Sequence, residues 1–336
     1  MTPAPKHIPG YTDLQVNGFR GVGFSDPELS EQAFVDACLG LLSHGTRLFL
    51  PTLITSPHET YRRNLPLMSR AIREFSLEPC IPGFHLEGPF ISRMDGARGA
   101  HNPDFISEPN PKLLDQLMTW ADGRIRLLTI AADAPGADDL CRHAVSIGIT
   151  VSLGHHMASS TDLERLADSG ARALTHFGNA LPALLPRHEN PLLAGLACDR
   201  LTAMIIADGH HLPASLVDLI LRVKGIDHVT VVSDAAPVAG MPPGTYHTLG
   251  NDVRLEENGL LHNPQTGYMV GSSCTMTECA RWLEERPGLL PEELDRLTFY
   301  NALRLIGLDP DSVATPIPVD LTRLCGGSTP AATGLM

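Results

Sequence analysis

Residues 82–93 read PGFHLEGPFISR, a short apolar run that ends in a carboxylate, Glu87, before a Gly-Pro turn. An ionised carboxylate at the end of a buried strand costs several kcal/mol unless a positive charge or hydrogen-bond donors meet it. The stretch therefore predicts a strand whose last residue is held by a partner from elsewhere in the chain.

Eight runs of this kind recur along the chain, separated by segments with helical periodicity. The runs are almost continuously apolar, as expected for parallel strands that are buried on both faces. Segment 30–45 is typical of the intervening helices, with Ser30 as the candidate N-cap and Gly45 as the stop. Strand followed by helix, eight times over, predicts a (β/α)8 barrel, with a doubly wound open sheet as the alternative. The eight runs are 11–18, 46–54, 81–88, 125–133, 149–156, 171–178, 201–209 and 228–235.

The barrel domain is expected to span residues 9–308. Residues 244–276, after the eighth run, are rich in glycine and turn dipeptides and predict a β-hairpin-like insertion that returns to the barrel mouth. A helical stretch is expected over 276–307. The tail, 309–336, is predicted to be partly disordered.

Composition narrows the class of protein. The formal net charge of −13 argues against a nucleic-acid partner or an anionic membrane surface. Seven scattered cysteines without a Cys-x-x-Cys pair favour a reducing compartment over a disulfide framework or a zinc ribbon. Because neither a signal peptide nor a long apolar window is recognisable, we expect a soluble, cytoplasmic protein.

Polar residues follow the ends of the apolar runs, and in a barrel these ends converge on one mouth. His155 and His176 with Glu87 form a set of two histidines and a carboxylate, and three protein ligands with one open position are the catalytic arrangement for zinc. A divalent cation would then meet Glu87. The alternative for each residue is a hydrogen-bonded core position. That alternative is less favourable when three such residues occur together at strand ends. His156 follows His155 and is expected to face away from the mouth.

Asp234 ends the eighth run and would lie beside such a cation, where it could accept a proton and pass it to a leaving group. Its alternative role is a helix N-cap. Gln15 and Asn17 stand where ligands of a second metal would be expected. Because amide side chains are poor zinc ligands, the sequence predicts one metal ion.

An anionic ligand would need a local basic pocket. His211 and Arg187 could supply positive charge, with backbone N–H groups from 178–180. Arg187 lies in a proline-flanked loop, where a solvated surface arginine is the alternative, and the same alternative applies to His101. Cys274 and Cys279 are interpreted as small buried residues rather than a thiol site.

Seven motifs together resemble the N-acetylglucosamine-6-phosphate deacetylase family of the amidohydrolase superfamily. They occur in order over nearly the whole predicted barrel. The motifs are GFHLEGPF (83–90), RGAHNP (98–103), SLGHHMAS (152–159), LTHFGNALPALLPR (174–187), IIADGHHL (205–212), VVSDAAPVAGMPPGTY (231–246) and GSSCTM (271–276).

The resemblance implies hydrolysis of the N-acetyl group of N-acetylglucosamine 6-phosphate, which gives glucosamine 6-phosphate and acetate. Glu87, His155 and His176 match the metal ligands and Asp234 matches the general acid/base. The expected cofactor is one divalent ion, zinc, with iron(II) or manganese(II) as alternatives. Segment 15–17 matches the subgroup that has lost the superfamily's His-x-His and uses a single metal. The substrate contacts implied are Ala100, His101, Asn179, Ala180, Arg187, Asp208, His211, Met269, Val270 and Gly271.

The sequence also departs from the family pattern. Relatives carry a longer segment before the first strand and closing strands after the barrel, which together form a small β-sandwich that we expect to be absent or rudimentary here. Segment 131–136, AADAPG, replaces a common Ala-Pro-Glu. The family also implies a homodimer in which an arginine reaches the neighbour's phosphate. Alternatives are hydrolysis of another N-acyl amino sugar or a cyclic amide, and a catalytically inactive ligand-binding barrel.

Overall fold

Eight parallel strands form one nearly closed sheet in which each strand pairs with its neighbour in chain order. The computed structural model describes residues 8–313. Each of the eight predicted runs contains one strand, so the (β/α)8 barrel is confirmed, and the consecutive strand order excludes the doubly wound sheet. The strands are β1 Tyr11–Val16, β2 Thr46–Ile54, β3 Phe84–Glu87, β4 Ile125–Ile130, β5 Thr150–Leu153, β6 Ala173–Leu174, β7 Thr202–Ile206 and β8 Val229–Val232.

Helices connect successive strands, and α1 begins at the N-cap that the sequence indicates. Ser30 accepts a hydrogen bond from the Ala33 amide at 3.2 Å, and Ser159 forms a capping box with Asp162. The helices are α1 Glu31–Ser43, α2 His58–Glu74, α3 Pro111–Trp120, α4 Ala137–Ser146, α5 Ser160–Asp168, α6 Pro191–Ala197, α7 Ala214–Lys224, α8 Met276–Glu284, α9 Pro291–Asp295, α10 Asn301–Leu305 and α11 Pro310–Val313.

The strands are apolar on both faces because they separate two cores. In β7, Ala203 and Ile205 belong to the layer between the sheet and the helices, whereas Met204 and Ile206 belong to the cluster inside the barrel. This alternation explains why the sequence shows continuous apolar runs rather than a period of two.

The predicted helical stretch 276–307 divides into α8, α9, a π-helical turn and α10. Phe299 and Leu303 join the cluster inside the barrel. Asn301 donates hydrogen bonds of 2.7 Å to the carbonyl oxygens of Ile226 and Val229, at the start of β8. This segment therefore covers the amino ends of the strands and leaves the opposite end for a site.

The insertion after β8 is a three-stranded antiparallel sheet, with one strand more than the predicted hairpin. Its strands are β9 Gly244–Thr248, β10 Asn251–Leu255 and β11 Leu261–His262. Val253, Leu261 and Val270 form a small core of their own. Asn251 Nδ2 donates to the Ala100 carbonyl oxygen at 3.2 Å, which attaches the sheet to a loop at the barrel mouth.

Within residues 8–313 the strands belong to the barrel, the insertion or a two-stranded hairpin after β1, and none builds a β-sandwich. Of the predicted tail, 309–336, positions 314–336 lie outside the described residues, and Pro310–Val313 is a short helix. No helix among residues 8–313 is long and apolar enough to cross a lipid bilayer.

Candidate active site

The carboxyl ends of the barrel strands surround a cavity of about 280 Å³. Most residues singled out from the sequence line it, although they come from distant parts of the chain. These lining residues are Glu87, Ala100, His101, His155, His176, Asn179, Ala180, His211, Asp234, Met269, Val270 and Gly271. The barrel therefore brings the predicted set into one chamber.

The ends of the strands aim four of these side chains. Glu87 is the last residue of β3, and His155, His176 and Asp234 each lie two residues beyond β5, β6 and β8. The φ angles of His155, His176 and Asp234 are +53°, +29° and +48°. Left-handed backbone is uncommon for residues other than glycine and costs roughly 1–3 kcal/mol at each position. The surrounding structure must therefore stabilise these three turns.

Glu87, His155 and His176 converge at the bottom of the cavity. Glu87 Oε1 lies 3.0 Å from His155 Nε2 and 2.9 Å from His176 Nε2, and the two ring nitrogens are 2.9 Å apart. All three residues are at least 94% buried. Among the described residues, this is the one group of three or more His, Cys, Asp or Glu side chains placed to share an ion.

The hydrogen bonds around this group fit a cation. His155 Nδ1 lies 3.0 Å from the Ala97 carbonyl oxygen, which can only accept, so Nδ1 carries the proton. Burial lowers the pKa of His155 and favours the neutral ring, whose Nε2 lone pair then points at the Glu87 carboxylate. Such a convergence of lone pairs is repulsive without a positive charge among them. The set is therefore suited to a divalent metal ion.

Asp234 lies across the cavity, held by two amide side chains. Asn17 Nδ2 donates to its Oδ1 at 2.7 Å, and Gln15 Nε2 donates to the same oxygen at 3.1 Å and to Glu87 Oε1 at 2.9 Å. Burial, together with the negative charge of Glu87, raises the pKa of Asp234 to about 7. The amides thus act as donors between two carboxyl groups.

His211 faces the cavity and is oriented from behind by Asp208. The Asp208 carboxyl group accepts from His211 Nδ1 at 2.7 Å and from the backbone N–H groups of His210 and His211. Although burial opposes it, the hydrogen bond from His211 lowers the pKa of Asp208. Asp208 does not line the cavity and holds His211 from behind; its role as a substrate contact stays a prediction.

His101 and His156 are among the other histidines buried near the cluster. The His101 ring lies edge-on to the His155 ring, with 4.4 Å between centroids, and lines the cavity. Burial, with the neighbouring His155, lowers the pKa of His101 to about 3 and keeps the ring neutral. His156 lies outside the lining of this cavity and accepts from the Ala158 amide at 3.1 Å, as its predicted orientation requires.

Arg187, like Asp208, is a predicted site residue that does not line the chamber. It is exposed in the loop before α6 and does not line the cavity. Asn179 and Ala180, from the start of the same loop, do line it. The loop at 131–136, where the sequence departs from the family, also lies outside the lining.

Sequence reasoning missed several lining residues. Ile54 ends β2, Leu249 forms the turn between β9 and β10, and Tyr268 follows β11. Ile54 is one more apolar residue in a continuous run, and nothing in that pattern indicates a wall of a site. Leu249 and Tyr268 line the cavity because the insertion packs over the barrel mouth, and no local sequence pattern indicates this packing.

Comparison with known proteins shows which family the chain resembles. No protein-family model matches the chain. The chain is 34% identical to the N-acetylglucosamine-6-phosphate deacetylase of Homo sapiens over 326 residues, covering 90% of the chain and 74% of the relative. The corresponding protein of Bos taurus is 33% identical over 318 residues, with the same coverage. An N-acetylgalactosamine-6-phosphate deacetylase of Escherichia coli O157:H7 is 28% identical over 304 residues, covering 90% and 78%.

Solved structures agree with the sequence relatives. N-acetyl-D-glucosamine-6-phosphate deacetylase from Mycobacterium smegmatis superposes with a TM-score of 0.83 at 26% identity, over 94% of this chain and 84% of that one. The enzyme from Pasteurella multocida gives a TM-score of 0.79 at 28% identity, over 91% and 81%. A mutant of the Mycobacterium smegmatis enzyme has been solved in complex with N-acetyl-D-glucosamine-6-phosphate.

Proposed function

The chain belongs to the N-acetylglucosamine-6-phosphate deacetylase family, and on this premise we propose that it hydrolyses the acetamide of N-acetylglucosamine 6-phosphate. The products are glucosamine 6-phosphate and acetate. The observation that carries the proposal is the meeting of Glu87, His155 and His176 in one cavity, opposite Asp234. This is the arrangement that metal-assisted amide hydrolysis requires.

We assign the metal position to Glu87, His155 and His176 and propose zinc as the ion. When bound, the ion supplies positive charge that polarises the acyl carbonyl group and lowers the pKa of a neighbouring water molecule. Asp234 accepts the proton of the attacking water and delivers it to the amine leaving group. As a buried carboxyl group opposite the proposed metal ligands, Asp234 is placed to accept a proton from the water and to donate it to the leaving amine.

His211 completes the proposed machinery. Asp208 holds its Nδ1 at 2.7 Å, so the other ring nitrogen is directed into the cavity. In its protonated form this nitrogen donates a hydrogen bond to the carbonyl oxygen, on which negative charge develops. Ala100, His101, Asn179, Ala180 and the segment 269–271 form the walls against which the sugar is held.

The decisive experiment measures acetate release together with metal content. Asp234→Asn should reduce kcat by about 10²- to 10⁴-fold, because it removes the proton acceptor, while metal per chain stays near the wild-type value. Asp133→Asn is the matched control, since Asp133 also follows a barrel strand but lies outside the cavity, where it accepts from the Met157 amide. Full activity of the Asp234 variant would remove this residue from the mechanism.

A galacto-configured substrate is the second candidate, because one relative is named N-acetylgalactosamine-6-phosphate deacetylase. The two sugars differ only in the configuration of one hydroxyl group. Comparing kcat/KM for both phosphosugars, with N-acetylglucosamine as the unphosphorylated control, separates the alternatives. The gluco assignment fails if the galacto sugar is the better substrate.

For the phosphate group we propose that Arg187 acts in a second copy of the chain, within a homodimer. In its own chain Arg187 is exposed and does not line the cavity, and nearby Leu184 is 90% exposed. A charged and an apolar residue on one protruding loop suit a contact between copies.

Arg187→Ala tests this assignment. It should raise KM for the phosphosugar by about tenfold or more, because a charge-assisted contact to phosphate is lost, and should leave KM for the unphosphorylated sugar unchanged. Light scattering measures the oligomeric state in parallel. A monomeric wild-type enzyme, or equal effects on both sugars, would contradict the proposal.

A further inference from the structure

Asp13 is a buried carboxyl group in β1 for which the proposed mechanism has no use. Its side chain is only 1% exposed and it does not line the cavity. Oδ1 accepts from the backbone N–H groups of Ser233, at 3.1 Å, and Gln15, at 3.3 Å, while Oδ2 accepts from Ser233 Oγ at 2.5 Å. Two of its three donors thus belong to the residue before Asp234.

These bonds lie at the seam where the barrel closes. Among the described residues, β1 and β8 share no regular ladder. An isolated bridge joins Val16, the last residue of β1, to Ala235, three residues beyond β8, and the Asn17 amide donates to the Ala235 carbonyl oxygen at 2.8 Å. The Asp13 carboxyl group takes the place that a ladder carbonyl has elsewhere in the sheet. It joins the first strand directly to the end of the last.

The segment that Asp13 holds has a backbone conformation that needs support. Asp234 has a φ of +48°. Ser233 Oγ accepts from the Ala235 amide at 3.0 Å, which spans the Asp234 residue. On the other side, the Ser272 amide donates to the Asp234 carbonyl oxygen at 2.8 Å and Ser272 Oγ donates to the Ser233 carbonyl oxygen at 2.5 Å.

We propose that Asp13 and Ser233 form a positioning clamp that fixes the left-handed turn at Asp234 and so directs its carboxyl group at the scissile amide. The same Asp13 oxygen that binds Ser233 also binds the amide of Gln15, whose side chain donates to Asp234 Oδ1. One buried carboxyl group therefore sets both the backbone of Asp234 and one of its hydrogen-bond donors. The inference rests on the proposed function, because it gives Asp234 the catalytic role.

The test is Ser233→Ala, which removes the donor to Asp13 Oδ2 and the acceptor of the Ala235 amide with little change in volume. We expect kcat to fall by about tenfold or more, because small misplacements of reacting groups have large effects on rate. KM and metal per chain should stay within about twofold of wild type, since the ligands and cavity walls are untouched.

Thr230→Val is the matched control. Thr230 lies in β8, three residues before Ser233, is fully buried, and donates from Oγ1 to the Leu297 carbonyl oxygen at 3.1 Å, at the end of the barrel away from the site. The Thr230→Val variant loses a buried hydrogen bond, as Ser233→Ala does. Urea unfolding should therefore show a similar loss of stability in both variants, while kcat of the Thr230 variant stays unchanged. Asp13→Asn retains an oxygen for the two amides and should lose less kcat than Ser233→Ala.

Three results would overturn the clamp. The first is a kcat for Ser233→Ala equal to that of the Thr230 control. The second is a loss of metal and a rise in KM large enough to account for the fall in kcat, and the third is an undisturbed Asp234 in a crystal structure of the variant. The crystal structure is independent of activity. If the wild-type chain releases no acetate, the proposed function fails, and the position of Asp234 in Ser233→Ala still decides whether the clamp exists.

Discussion

Two adjacent histidines, His210 and His211, follow β7, and the structure gives them different surroundings. His211 lines the cavity and binds Asp208, whereas His210 Nε2 lies 3.0 Å from the carbonyl oxygen of Asn258 in the insertion. The sequence motif alone distinguishes them only through the family resemblance. The structure supplies the physical reason, because the Asp208 carboxylate accepts from both backbone amides and thereby sets the turn that directs one ring inward.

This pair provides a prediction in which each variant controls the other. His211→Asn should lower kcat by about 10²-fold, the range observed when a proton-donating side chain is removed. His210→Asn should leave kcat within about twofold of wild type, because it changes only a peripheral contact. Acetate release at saturating substrate measures both. Comparable losses in the two variants would show that the loop as a whole, not the ring of His211, supports the reaction.

At the scale of single elements, the insertion is the part of the fold that closes the site from above. Leu249, Tyr268 and the segment 269–271 all come from it or follow it, and they form one side of the cavity wall. The sheet has a small apolar core of its own, and its link to the opposite wall is the hydrogen bond from Asn251 Nδ2 to the Ala100 carbonyl oxygen. This bond connects the two sides of the entrance.

Asn251→Ala should therefore raise KM for the phosphosugar by roughly threefold to tenfold, with kcat reduced less, because one hydrogen bond contributes about 1 kcal/mol. Asp252→Ala is the matched control: Asp252 is the next residue of the same strand, and its partner His247 is exposed. Steady-state kinetics of both variants measures the effect. An unchanged KM in the Asn251 variant would mean that the bond to Ala100 does not hold the entrance.

At the scale of the whole molecule, apolar runs were sufficient to predict the barrel because each strand is buried on both faces, and polar residues at the ends of several runs then marked the mouth. Glu87, His155, His176 and Asp234 were identified in this way. The left-handed turns at three of them were not, because neither His nor Asp signals a positive φ as glycine does.

Other features depend on distant contacts that no local pattern contains. The third strand of the insertion, Leu261–His262, is only two residues long, and its pairing with β10 decides that it exists. The clamp at Asp13 requires β1 and β8 to meet at the seam. The exposed position of Arg187 likewise follows from the course of its loop rather than from its motif.

The buried histidines determine how the whole fold responds to acid. Burial is the main cause that lowers the pKa of His85 and His156 to about 4, and of His101 to about 3. A histidine whose folded-state pKa is depressed stabilises the fold above its unfolded pKa of about 6.5, and this contribution is lost as the pH falls towards the folded value. Asp13 and Asp234 act in the opposite direction, because burial raises both pKa values to about 7. A difference between variants is therefore more informative than the wild-type curve alone.

His156→Asn isolates one of these groups outside the cavity. The asparagine side-chain oxygen can accept from the Ala158 amide as His156 Nδ1 does at 3.1 Å, so the variant should fold. Between pH 4 and 6.5 the wild-type free energy of unfolding should rise with pH more steeply than that of the variant, by about 1.4 kcal/mol per pH unit for one proton. Urea unfolding across this range measures both slopes, with His58→Asn, at an exposed position, as the control that should match wild type. Parallel curves for wild type and the His156 variant would show that this ring has the same pKa in the folded and unfolded chain and that burial does not lower it.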